Sequence, residues 1–139
     1  MNDRISQLLR IFDQLPDEQA NLLLKRLLRE DLFAAMKIIQ RHFGFPDLLY
    51  ADDPGLDELL ASLPEPTFHV ALHGGDDELI KRMALRMGTG KARTFIEDVD
   101  GVTASAEQVD AAKRTVLVKA MMLHRRGRLV MNRPGLERP

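Results

Sequence analysis

The stretch DDELIKRMALRMGTGKARTFIEDV, residues 76–99, contains the pattern that decides the fold. Apolar residues in its first part recur three and four positions apart, which is the spacing of one face of an α-helix. Gly88 interrupts this pattern, and a second set with the same spacing follows. The stretch therefore predicts two short amphipathic helices, with Asp76 and Asp77 opening the first and Thr89 capping the second.

The same helical spacing covers most of the remaining sequence, and the alternating pattern of a strand is nearly absent. Helices are predicted from Ile5 to Leu15, Pro16 to Leu28, Asp31 to Phe43, Pro54 to Leu63, Pro64 to His73, Asp76 to Met87, Thr89 to Val99 and Ser105 to Leu123. Val130 and Met131 are expected to be extended. Asp31 is the predicted cap of the third helix, and Ser105 with Gln108 fits a capping box. The expected apolar face of the third helix consists of Phe33, Met36, Ile39 and Phe43. Helices this short are not stable alone in water, so each must bury its apolar face on its neighbours. The predicted fold class is all-α, as a small α-solenoid or an irregular helical bundle of about eight helices.

The helical pattern stops at the segment FGFP, residues 43–46, because glycine and proline both interrupt helices. Proline also biases the residue before it away from the helical conformation. The rings of Phe43 and Phe45 are expected to pack across this break, while Gly44 allows wide backbone angles. The sequence therefore predicts a hinge at residues 44–46.

Composition and length limit the class of protein. The chain has 139 residues, of which 45% are hydrophobic and 29% charged, a balance typical of one globular domain or two very small ones. With no cysteine, disulfides, thiolate nucleophiles and cysteine zinc sites are excluded. The apolar runs are far shorter than the roughly 20 residues of a membrane-spanning helix, and no signal-peptide core follows the N-terminus. A soluble, cytoplasmic protein is predicted.

Basic residues are concentrated toward the end of the sequence. Residues 111–139 have 8 basic side chains against the single acid Glu137. A nucleic-acid binder could use residues 113–128 for phosphate contacts. The chain has one tyrosine and no tryptophan, and no Phe, Tyr or Trp lies among these basic residues to stack on bases. A solvated helix face with a basic tail is therefore favoured over a nucleic-acid surface.

His69 and His73 lie four residues apart on one predicted helix, a spacing that can hold a metal ion. Asp76 or Asp77, after the following glycine turn, could supply a third ligand. The zinc-protease pattern needs glutamate immediately after the first histidine, where this sequence has Val70. One half-buried and one exposed histidine are therefore expected, without a metal ion.

Glu97 and Asp98 form an acidic pair near the C-terminal end of their predicted helix, where the helix dipole disfavours negative charge. The other two candidate carboxylate clusters, Asp52-Asp53 and Asp76-Asp77-Glu78, precede or open helices, and the dipole explains them. Lys91 and Arg93 precede the pair on the same helix, and Lys91 shares a face with Asp98. The pattern predicts an exposed, charged surface for a partner. No nucleophile–base set can be assembled, so the chain is not expected to be an enzyme.

Several motifs follow one another in the order of a known family. They are HFGF at residues 42–45, ALHG at 71–74, the charged helix with Glu97 and Asp98, and GRLVM at 127–131. The first is similar to a Met-Phe-x-Phe hinge, the second to an Ala-Leu-Lys-Gly turn and the last to a Gly-Glu-x-Val-Ile ending. This collinear order, over about Ile5 to Met131, resembles the C-terminal part of FliG, the flagellar rotor switch protein family.

The resemblance implies an armadillo-like superhelical unit over residues 1–43, a hinge formed by Phe43, Gly44 and Phe45, and a six-helix torque-type domain with a basic C-terminal tail over 47–139. It also implies that a charged helix contacts the cytoplasmic loop of a MotA-type membrane stator. The residues implied in that contact are Lys91, Arg93, Glu97, Asp98 and His73. Further implied partners are a FliM-type switch protein and neighbouring FliG-like subunits, with no cofactor, nucleic acid or membrane insertion. The implied location is cytoplasmic, peripheral at the flagellar basal body on the inner face of the membrane.

The sequence departs from the family in charge and in length. The first arginine of the family's torque helix aligns with Gly90, and His73 stands where the family has lysine. The family's N-terminal and middle domains have no counterpart in this sequence, which leaves a fragment and a stand-alone paralogue both open. The predicted function is a non-enzymatic rotor component in motility and chemotactic switching. The alternative is a helical-repeat adaptor or regulatory domain, such as a module like the N-domain of magnesium transporters.

Overall fold

A computed structural model of the chain describes residues 3–132, and this part contains eight α-helices and one 3-10 helix. The α-helices are α1 (Asp3–Gln14), α2 (Asp17–Glu30), α3 (Leu32–His42), α4 (Asp53–Ser62), α5 (Glu65–Leu72), α6 (Asp77–Arg86), α7 (Thr89–Asp100) and α8 (Ala106–Arg125), with the 3-10 helix at Phe45–Tyr50. The prediction of an all-α fold with about eight helices is confirmed. Among the helices of residues 3–132, none has the length and apolar character needed to cross a membrane. The chain divides into two compact units between Gly44 and Phe45.

The first unit consists of α1, α2 and α3, whose apolar faces meet in a small core. The buried residues of this core are Phe12, Ala20, Leu24, Leu27, Ala34, Ala35, Ile38 and Ile39. Asp31 ends α2 and caps α3, as predicted, because its carboxylate accepts a hydrogen bond of 3.1 Å from the backbone N–H of Ala34. Phe33, expected on the inward face, is 64% exposed, since the alanines and isoleucines of α3 face inward instead.

The second unit consists of the 3-10 helix and α4 to α8. α8 packs along α5 and α4, and α7 packs against α6 and α5. The largest buried side chains of this unit are Leu48, Leu56, Leu59, Phe68, Leu72, Leu79, Met83 and Phe95. The predicted capping box at the start of α8 is confirmed, with Ser105 and Gln108 exchanging hydrogen bonds of 3.1 and 2.8 Å.

After a turn that follows α8, Val130 and Met131 pair with the segment before α4, which fits the extended backbone predicted for these two residues. Ala51 and Met131 form an isolated antiparallel bridge. The backbone N–H of Asp52 donates to the Val130 carbonyl at 2.8 Å, and the Asp52 carboxylate accepts from the Val130 N–H at 2.9 Å. Asp52 therefore ties the end of the described chain to the start of α4.

The break between the units differs in detail from the predicted hinge. α3 ends at His42, and the 3-10 helix that the spacing did not predict begins at Phe45 and includes Pro46. The fixed backbone angle of proline is compatible with a short helical turn of this kind. Phe43 is buried and Phe45 is half-buried. The packing of their rings and the hinge itself stay predictions.

Candidate functional site

α7 separates apolar from charged residues sharply. Phe95 and Val99 are each 1% exposed and face α5 and α6. The helix also has five exposed charged residues, the last of which is Asp100. The other four together are called the charged surface below: Lys91, Arg93, Glu97 and Asp98. The structure thus brings together on one helix all of the predicted charged contact residues except His73.

The charges of α7 are arranged against its dipole. The first turn contains no acidic residue and the last turn no basic one, whereas Lys91 lies near the N-terminus and Glu97 and Asp98 near the C-terminus. Each charge in such a position is unfavourable by roughly 0.3–1 kcal/mol at an exposed site. This arrangement does not contribute to the stability of the helix, so a role outside folding accounts for it better.

The N-terminus of α7 differs from the prediction. The capping position is Gly88, with φ of 108° and no side-chain hydrogen bond, and Thr89 is already the first helical residue. Only glycine adopts this backbone conformation without strain, so the turn between α6 and α7 fixes the position of the helix start. The prediction of Thr89 as a cap is wrong for this reason.

Within the charged surface, one pair interacts weakly. Arg93 Nε lies 3.4 Å from Glu97 Oε2, and these side chains are 91% and 64% exposed. An exposed pair of this kind contributes about 0–1 kcal/mol, so it opens readily. Lys91 makes no ion pair within residues 3–132. Both basic groups are therefore available to acidic groups of another molecule.

His69 of α5 and His73, the residue directly after this helix, lie beside α7. His73 Nδ1 donates a hydrogen bond of 2.8 Å to the carbonyl of Val99, near the C-terminal end of α7. The His69 ring meets the Phe95 ring edge-on, with centroids 5.2 Å apart. Both histidines are half-buried, so the expectation of one exposed ring is wrong. The packing of α5 on α7 covers both rings, and His73 lies at the end of the charged surface rather than on it.

The structure brings together a different group of possible metal ligands from the His69 and His73 pair that the sequence suggested. His73 is hydrogen-bonded to the carbonyl of Val99. The Asp76 carboxylate accepts a hydrogen bond of 2.9 Å from the backbone N–H of Glu78 and caps α6. Glu65, His69 and Asp98 instead place one ligand atom each within 4.8 Å of one another. The spacing along one helix could not reveal this group, because Asp98 comes from α7.

A second charged cluster joins α4 to α6, and sequence reasoning missed it. Arg86 makes two hydrogen bonds of 2.8 and 2.7 Å to the Asp57 carboxylate, and Arg82 pairs with Asp53 at 2.7 Å. The Arg86 guanidinium lowers the pKa of Asp57 below its ordinary value. Arg82 also donates to the carbonyl of Leu49 at 2.6 Å. These partners are about 30 residues apart, and no local pattern signals such pairs.

The basic residues of α8 do not form an open surface. The four basic residues within the helix are half-buried, namely Lys113, Arg114, Lys119 and Arg125. Lys113 Nζ lies 5.6 Å from the centre of the Phe45 ring, and Arg128 pairs with Glu58 at 3.1 Å. The structure thus gives the phosphate-contact hypothesis no support within residues 113–128. The part of the basic tail after residue 132 lies outside the described residues.

These features define a class, an all-α protein of short packed helices with one exposed helix of mixed charge. The pattern of the family described as the FliG C-terminal domain matches residues 25–131, and the chain belongs to this family.

Two curated relatives are flagellar motor switch proteins FliG. The one from Vibrio cholerae is 25% identical over 122 residues, covering 87% of this chain and 35% of the relative. The one from Aquifex aeolicus is 23% identical over 108 residues, covering 77% of this chain and 33% of the relative. The chain thus spans about a third of the length of these relatives.

Solved structures of FliG have the same fold. A crystal structure of part of FliG from H. pylori matches with a TM-score of 0.60 and 24% identity, over 87% of this chain and 54% of that one. Full-length FliG from Aquifex aeolicus matches with a TM-score of 0.58 and 21% identity, over 88% and 39%. The family prediction is confirmed, and the alternative of a magnesium-transporter-like module is not favoured.

Proposed function

We propose that the chain is a component of the flagellar rotor and acts in the switch complex by binding proteins rather than by catalysis. The family and the names of the curated relatives support the flagellar motor as its place of action. The proposed location is the cytoplasmic side of the membrane, peripheral at the basal body.

The charged surface is the proposed contact with the cytoplasmic loop of a MotA-type stator. The observation that carries this proposal is the charge order of α7, which opposes the helix dipole and leaves the side chains exposed. Complementary charges on a partner raise the rate of association, and exposed pairs contribute little energy each. Such a contact forms and dissociates quickly, as a stepping motor requires. His73 is the proposed support of this surface, because it holds the end of α7 through Val99.

The first unit is the proposed site of helix stacking with neighbouring FliG-like subunits and a FliM-type switch protein. Large apolar side chains remain exposed on it, with Leu22 and Phe33 each 64% exposed. Exposed apolar side chains of this size are common at protein contacts. Phe43, Gly44 and Phe45 are the proposed hinge that lets this unit change its pose relative to the stator-binding unit.

Reversal of the acidic pair tests the stator contact. The variant Glu97→Lys/Asp98→Lys is expected to weaken binding to the cytoplasmic stator loop at low ionic strength, with partial recovery when basic residues of the loop are reversed. The variant Glu107→Lys/Asp110→Lys makes the same charge change on α8 and is the matched control. Equal binding of wild type and both variants would contradict the proposal.

A further inference from the structure

The space between α5 and α7 contains a nitrogen ligand and two oxygen ligands. His69 Nε2 lies 2.9 Å from Glu65 Oε2 and 3.9 Å from Asp98 Oδ2, and all three atoms lie within 4.8 Å of one another. We propose that Glu65, His69 and Asp98 form a binding site for a divalent transition-metal ion of the Zn²⁺ type. The site shares Asp98 with the charged surface, but its proposed ligand is a cation and not a protein.

The ligand types and their separations fit zinc. Imidazole nitrogen and carboxylate oxygen bind Zn²⁺ at roughly 2.0–2.2 Å, so two ligands of a tetrahedral ion are about 3.4 Å apart. The two distances from His69 Nε2 lie on either side of this value. The Asp98 side chain is 47% exposed, so a change of rotamer can bring its oxygen inward. Three protein ligands leave the fourth position to water.

The histidine is positioned well for this task. Its side chain is only 13% exposed, and the edge of its ring contacts Phe95. Packing therefore fixes the direction of Nε2 before an ion arrives, while Asp98 supplies a ligand from the neighbouring helix. The mixed set favours Zn²⁺ or a similar transition metal over Mg²⁺ and Ca²⁺, which prefer six or more oxygen ligands.

Metal binding requires one proton to move. The Glu65 carboxylate only accepts hydrogen bonds when ionised, so the 2.9 Å contact places a proton on His69 Nε2. An ion at Nε2 displaces that proton, and the neutral ring then has its proton on Nδ1.

Titration of the full chain with Zn²⁺ tests the site. One ion per chain is expected, with visible absorption of a four-coordinate complex when Co²⁺ replaces Zn²⁺, and no binding of Mg²⁺ at the same concentration. With Zn²⁺ about 100-fold above the Kd, the melting temperature should rise by at least about 5 °C. These readouts do not involve the stator, so they stand or fall separately from the proposed function.

Variants assign the ligands. His69→Gln and Asp98→Asn are each expected to lower Zn²⁺ affinity at least about tenfold. The matched control is Asp100→Asn, an exposed carboxylate two residues after Asp98 on α7, which should bind Zn²⁺ as the wild type does. If Asp98→Asn, which alters an exposed side chain and leaves folding intact, binds Zn²⁺ with unchanged affinity, the proposal is overturned. Absence of one-to-one binding by the wild type overturns it equally.

Discussion

α6 and α7 are adjacent helices of similar length that arrange their charges in opposite ways. α6 has Asp77 and Glu78 in its first turn and Arg86 in its last, which is the order that the helix dipole favours. Asp76 also caps this helix with its side chain. α7 has neither an acidic first turn nor a basic last turn, and its cap is a glycine without a side-chain hydrogen bond.

The partners of these charges differ as well. Arg82 and Arg86 of α6 bind carboxylates of α4 and so join elements of the second unit. The one ion pair between members of the charged surface, Arg93 with Glu97, lies within a single helix and joins nothing. The comparison separates charges that assemble the fold from charges that the fold presents to another molecule. Asp98 belongs partly to both groups, because its carboxylate lies 3.9 Å from His69 of α5.

The largest expected effect concerns the apolar side of α7. Phe95→Ala removes a ring that is 1% exposed, and loss of such a ring from a core lowers the free energy of unfolding by about 3–5 kcal/mol. Urea unfolding followed by circular dichroism measures this loss. Thr94→Ala, at the exposed neighbouring position, is the control and should change the value by less than about 0.5 kcal/mol. Similar values for the two variants would show that α7 is not anchored through its apolar face.

A smaller effect is expected where α6 meets α4. Asp57→Asn removes the paired carboxylate, whose side chain is 45% exposed, so the loss is expected to stay below about 1 kcal/mol. Because Arg86 lowers the pKa of Asp57 in the folded state, this contribution is complete above the unfolded pKa of about 3.9. It is lost as the pH falls through the lower folded pKa.

Urea unfolding of the wild type and of Asp57→Asn at a series of pH values measures the difference in their free energies of unfolding. The pH dependence of this difference gives the direction of the Asp57 pKa shift. The difference should be constant above about pH 5 and should shrink below about pH 4. Lys81→Gln, an exposed change on the same helix, should show no such pH dependence. A difference that grows as the pH falls would mean that the pKa shift has the opposite sign.

The helices and their caps could be predicted from residues close together in the sequence. The contacts between helices could not be predicted in this way. Asp31 and Ser105 are recognisable as caps because the partner N–H lies three residues away. The Arg86–Asp57 pair and the approach of Asp98 to His69 depend on how helices pack, which no spacing encodes. Phe33 was expected on the buried face of α3 because its position fits the helical spacing. A second set of apolar residues on α3 has the same spacing, and this set is the buried one: Ala34, Ala35, Ile38 and Ile39.

Reversal of the basic residue near the start of α7 should separate stability from binding. Lys91→Glu places an acid in the first turn, where the dipole stabilises it by about 0.3–1 kcal/mol. The same variant should weaken stator binding, since it removes a positive charge of the charged surface. Melting curves and binding to the stator loop measure the two effects. Lys81→Glu, within α6, is the control, and a destabilised Lys91→Glu would contradict the dipole argument.

The smallest effect on stability is expected for Glu97→Lys/Asp98→Lys. The double change breaks the exposed Arg93–Glu97 pair, which costs about 0.3–0.5 kcal/mol, and removes the Asp98 carboxylate that lies 3.9 Å from His69. It also places basic residues near the C-terminus, which the dipole favours by a similar amount. The two contributions oppose each other, so the free energy of unfolding should change by less than about 0.5 kcal/mol. Urea unfolding at two salt concentrations measures it, and at high salt both contributions should diminish. A loss of several kcal/mol would mean that the acidic pair belongs with the charges that assemble the fold, as in α6. An unchanged value together with weakened stator binding would place it with the charges presented to a partner.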